Sequence, residues 1–67
     1  MDPNATLRDI NDFLSDGYIG DEVDYLCECL YDWLAHAGFQ PKWNRYPMAA
    51  EYYRCRAVHI ERGERVK

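Results

Sequence analysis

The chain has 67 residues, 48% of them hydrophobic and 15% aromatic, with eight lysines and arginines against twelve acids, a formal net charge of −4. That length makes one domain that hides only about 60% of its unfolded surface, too little for a self-contained enzyme to be expected, while the apolar content excludes a disordered segment. With no run of about 18 apolar residues and no basic-then-apolar leader, the sequence predicts a cytoplasmic protein without membrane contact.

Charge is distributed unevenly. Residues 1–41 hold nine acids against Arg8, a net −8, and residues 42–67 hold seven bases against three acids, a net +4. The three cysteines are an odd number, which argues for reduced thiols over a disulfide framework.

In chain order, Asp2-Pro3 is a strong helix opening, because a carboxylate at the N-cap accepts an orphan backbone N–H and proline fits the first helical position. Leu7, Ile10 and Leu14 recur at helical spacing with Phe13 beside them, Asp9, Asp12 and Asp16 take the other side, and Gly17 is placed to end the segment. The first helix is predicted at about 3–15. Asp21 is expected to cap a second, with Glu22 and Asp24 suiting the positive end of its dipole. Val23, Leu26, Cys27, Leu30, Leu34 and Ala37 form one helical face. Gly38 then supplies a left-handed cap, Phe39 its hydrophobic contact and Pro41 a stop, giving a helix at about 21–37.

The last third is open to two readings. Pro47 followed by Met48-Ala49-Ala50-Glu51 starts a helix at about 48–62, with Ala49, Tyr53, Ala57 and Ile60 as its stripe. The alternative is a β-hairpin, since Tyr52 to Ile60 is rich in strand-favouring residues and Arg62-Gly63 is a possible turn. The fold class is therefore all-α, a small bundle of two secure helices and a third, with residues 1–62 as one domain and 63–67 as a basic tail prone to fraying.

Several residues qualify as sites. Tyr25, Cys29 and Trp33 repeat at i, i+4 and i+8 on a flank outside the core stripe of the second helix. Such a flank is either covered within the monomer, by the C-terminal segment, or forms an interface. Tyr25, Trp33 and Trp43 are the candidate interface anchors, since Trp and Tyr dominate such contacts. Asp21, Asp24, Glu28 and Asp32 form a carboxylate row at i, i+3, i+7 and i+11. Like charges at that spacing repel, so the row suits positive charge: a partner's, or Arg54, Arg56 and the Arg62–Lys67 tail of this same chain.

Two alternatives stand beside the interface reading. Cys27, Cys29, Cys55 and His59 are four potential zinc ligands, but two cysteines two residues apart point about 200° apart on a helix and lack the turn spacing of a zinc knuckle. Buried cysteine as a small apolar residue is the ordinary explanation. Arg54, Arg56, Arg62, Arg65 and Lys67, interleaved with aromatics, suit nucleic acid, yet the chain charge opposes long-range attraction to it. His36, near the end of the second helix, suits the negative end of the dipole, with no serine or acid spaced to make a triad with it.

The opening Met1-Asp2-Pro3-Asn4-Ala5-Thr6-Leu7, the block Asp32-Trp33-Leu34, then Gly38-Phe39, Pro41 and Trp43 resemble a group of short proteins of actinobacteria-infecting bacteriophages to which no activity is attached. The resemblance covers residues 1–43; Ala37 stands where a second glycine is expected, and residues 44–67 are an extension. It implies a small phage protein inside a bacterial cell and carries no functional residue over. Together with the residues, it predicts a non-catalytic protein without cofactors, working through contacts with itself or with a host protein of basic surface.

Overall fold

Residues 2–65 are described by the structure, a computed structural model. They form α1 (Pro3–Ser15), α2 (Asp21–Ala35) and α3 (Pro47–Glu61), with one 3₁₀ turn, Trp43–Arg45, before the last helix. Among the described residues there is no strand. The β-branched and aromatic run of residues 52–60 lies inside α3, because Pro47 sets the first turn and burial of Ala49, Ala50, Tyr53 and Ile60 on one side outweighs weak strand preference. No helix of the described residues is long and apolar enough to cross a membrane.

The helix starts differ. At α1, the Asp2 side chain accepts the Asn4 N–H at 3.0 Å, as its position predicts. At α2 the cap is Gly20, in extended backbone, and Asp21 is the first helical residue without a side-chain capping bond. Asp21 therefore acts on α2 through the helix dipole, as do Glu22 and Asp24 in the same turn.

All three helices end in one way. The amide two residues past the cap donates to the third carbonyl from the end: Tyr18 to Phe13 at 2.9 Å, Gly38 to Trp33 at 3.0 Å, Glu64 to His59 at 2.9 Å. This is the Schellman closure, which places the residue just past the cap in left-handed backbone. In α1 and α3 that residue is glycine, Gly17 at φ +77° and Gly63 at φ +85°, but in α2 it is Ala37 at φ +66°. Gly38 is thus not the left-handed cap that its sequence position suggests. Its lack of a side chain serves a close approach instead, since a Cβ there would fall on the indole ring of Trp33.

Leu7 and Ile10 of α1, Val23, Cys27 and Leu30 of α2, and Ala49 and Tyr53 of α3 build the core, with Leu14, Leu26 and Leu34 packed half-buried around it. The alanines of α3 let its backbone approach the other two helices, and the large side chains come from α1 and α2. The link after α2 is pinned to the start of α1, where Asn4 Oδ1 accepts the Lys42 N–H at 2.8 Å and Pro3 and Pro41 are buried. A radius of gyration of 10.8 Å matches the roughly 10.9 Å of a fully packed chain of this length. The three helices therefore close on one another without needing a further element.

Candidate functional site

Three of the four carboxylates in the α2 row, Asp24, Glu28 and Asp32, find positive charge within the chain, and Asp21 does not. Asp24 Oδ1 accepts the Tyr52 hydroxyl at 2.5 Å and has Arg56 Nε at 4.0 Å. Glu28, the one buried charged side chain among the described residues, has Arg56 Nη2 at 3.4 Å and Arg65 Nη1 at 4.0 Å. Asp32 takes Arg65 Nη2 at 3.0 Å, and the same guanidinium stands 5.8 Å over the Tyr31 ring. Arg56 also donates to the Glu64 carbonyl at 2.6 Å, drawing the segment after α3 onto α2. Tyr52 is pushed well above the ordinary phenol range by burial and by Asp24, which its proton serves as a hydrogen bond. Within the 63–67 tail for which the sequence suggests fraying, Glu64 and Arg65 engage this network, and residues 66 and 67 lie outside the described residues.

Arg54 is not on this row; it pairs with Glu51 on its own helix at 2.9 Å, both side chains well exposed. Of the five basic residues considered for nucleic acid, Arg54, Arg56 and Arg65 each meet a carboxylate, Arg62 is exposed, and Lys67 lies outside the described residues.

The two tryptophans are held inside the monomer. Trp33 meets Phe39 edge-on with ring centroids 5.6 Å apart, and its indole N–H donates to the Phe39 carbonyl at 3.0 Å. On the flank that carries Trp33, the Gly38–Phe39 turn therefore covers the indole within the monomer. Trp43 stacks tilted on Tyr53 at 5.2 Å and donates to Gln40 Oε1 at 2.7 Å. Tyr25, by contrast, is 56% exposed.

The cysteines and His59 do not converge. Cys27 is in the core, where burial, and then Asp24, push its thiol up to about 12, so at neutral pH it is a protonated apolar side chain. Cys29 is half-buried one turn from Tyr25, whose ionisation it opposes. Cys55 is exposed on α3, and His59 faces Glu64 at 2.7 Å. Among the described residues, no three His, Cys, Asp or Glu side chains are grouped to hold a metal ion. His36 Nδ1 lies 2.7 Å from the Asp32 carbonyl in the last turn of α2, a helix-end role.

The arrangement that stays open is a groove of about 680 Å³ along α1 and α2. Phe13, Leu26 and Tyr25 give it an apolar floor. Its rim is acidic on both sides, with Asp9, Asp12 and Asp16 from α1 and Asp21 and Glu22 from α2. Of these five, Asp9 alone has a cation among the described residues, its neighbour Arg8 at 3.3 Å, and both are about half exposed. The groove exists because α1 and α2 run side by side with acids on the edges of their apolar faces, and nothing from α3 reaches it.

Two of the sequence candidates, Tyr25 and Asp21, belong to this groove. Asp9, Asp12, Asp16, Phe13, Glu22 and Leu26 were not among them, because on a single helix they read as a solvated face, a capping acid or core. The signal that finds them is the pair of acid-rich helices joined by a five-residue link. Comparisons of the chain with protein-family models, with curated proteins and with solved structures find no match.

Proposed function

We propose that this protein is a non-catalytic binding module whose α1–α2 groove receives a basic amphipathic helix from another protein. The observation that carries the reading is the contrast inside one site: an apolar floor flanked on both sides by carboxylates that, apart from Asp9, pair with no cation among the described residues. A third helix laid along two others places apolar residues at i, i+3/i+4 and i+7 on such a floor. Lysines and arginines on its flanks then meet the acidic rims, which steer the encounter and fix its orientation. Tyr25 is the exposed aromatic in the groove and serves as its anchor. The phage resemblance supplies the setting, in which such a helix belongs to a host protein.

The test is a nuclear magnetic resonance titration of the labelled chain with a synthetic helical peptide that carries a leucine ridge between two rows of lysine. Chemical-shift changes are expected at Phe13, Tyr25 and Leu26, with affinity falling as salt is raised. The double variant Asp12→Lys/Asp16→Lys should keep its helical circular dichroism and lose about tenfold in affinity, roughly 1.4 kcal/mol. Equal binding by that variant, or shifts confined to other faces, overturns the reading.

A further inference from the structure

The side of α3 turned away from the other two helices carries Met48, Glu51, Cys55 and Val58, and one residue past the helix Arg62, all exposed. Their spacing is three, four, three, four, which is that of a two-stranded coiled-coil seam. It runs opposite the buried residues Ala49, Tyr53 and Ile60, so it plays no part in the core. Met48 and Val58 are 45% and 47% exposed, and beside Met48 stands Ile19, the most exposed large apolar side chain described, at 69%. Ile19, Met48 and Cys55 share a shallow hollow with Leu14 and Tyr52.

We propose that this face receives a second copy of the chain, with the two α3 helices antiparallel about a two-fold axis. The charges select that direction. In an antiparallel pair built on this seam, Cys55 faces Val58 of the second copy and Glu51 faces Arg62 of the second copy, each contact occurring twice by symmetry. Two acid–base pairs then bracket an apolar centre. A parallel pair sets Glu51 against Glu51 and Arg62 against Arg62, and both repel.

The monomer leaves these charges ready for exchange. Arg62 makes no ion pair among the described residues, and Glu51 holds only Arg54, with side chains 63% and 72% exposed. Such a solvated pair contributes little and is readily replaced. The contact spans one 15-residue helix and its edge, which places it at the small end of specific interfaces. The dimer therefore dissociates on dilution. The acidic groove lies on other helices and stays free in it.

Sedimentation velocity on the full chain in reducing buffer, over a dilution series, tests the proposal. The mass should rise toward that of a dimer with concentration, and Arg62→Glu and Glu51→Arg should each hold the chain monomeric while circular dichroism stays unchanged. The double variant Glu51→Arg/Arg62→Glu should associate again, because each pair is restored in reverse. A monomer at every concentration, association that survives both single variants, or a double variant that stays monomeric overturns it. So does a dimer abolished by Asp12→Lys/Asp16→Lys, which would place the second copy in the groove.

Discussion

The two sides of α2 carry the same kind of charge and have opposite fates. Toward α3, Asp24, Glu28 and Asp32 are met by Tyr52, Arg56 and Arg65, and Glu28 is buried in the process. Toward α1, Asp21 and Glu22 face Asp12 and Asp16 across an apolar floor with no cation of the described residues between them. A row of acids therefore says little by itself; what decides its role is which neighbouring helix it is turned to. The answered side is part of what holds the fold, and the unanswered side is a surface that the fold keeps at some cost in repulsion.

The largest effect should come from removing the central cation of the answered side. Arg56→Ala leaves Glu28, with its side chain 7% exposed, without its closest guanidinium, and a broken buried pair costs about 3 kcal/mol. Urea denaturation should show that loss, a large share of the stability of a domain this small. Replacing both partners, Arg56→Met/Glu28→Met, should recover most of it, since a packed apolar pair has no charge to desolvate. A cost for Arg56→Ala below about 0.5 kcal/mol would mean that this side is as solvated as the groove.

A smaller gain is expected where α2 ends. Its closing residue, Ala37, holds the left-handed backbone that glycine holds in α1 and α3. A β-carbon costs roughly 1–2 kcal/mol in that region, partly offset by the extra freedom that glycine gives the unfolded chain. Ala37→Gly should therefore stabilise by about 1 kcal/mol, raising the thermal midpoint, whereas Gly17→Ala should lower it. Destabilisation by Ala37→Gly would show that the methyl group contributes packing that outweighs the strain.

The smallest effect concerns the groove. Neutralising two unanswered acids with Asp12→Asn/Asp16→Asn should leave the fold intact and raise stability by a few tenths of a kcal/mol at low salt, because like charges one turn apart repel. Salt should erase the gain. A loss of stability would show that these carboxylates support the fold and are not simply held at its surface.

Much of this was legible in the residues. Helix boundaries followed from local chemistry: Asp2-Pro3 and Pro47 at starts, Gly17 and Gly63 at ends, and the 3.6-residue recurrence of Leu7, Ile10, Val23, Cys27 and Leu30 between them. Cys27 was recognisable as core because it lies on the same stripe as Val23 and Leu30. The tryptophans were not legible as internal. Trp33 is covered by a turn five residues further on, where Gly38 lets the backbone approach the indole, and no helical periodicity encodes such a reversal.

The sequence by itself determined two helices with their polar and apolar faces, a third segment open to helix or hairpin, and a chain with acid in its first two-thirds and base in its last third, because these are properties of residues within a few turns of one another. Only the tertiary structure decided which acids would be answered. Arg56 and Arg65 are 28 and 33 residues from the carboxylates they bond, and their reach depends on the side of α2 against which α3 is laid. Once α3 covers one side, its cations are fixed there, and the acids on the other side keep their charge for whatever meets the groove.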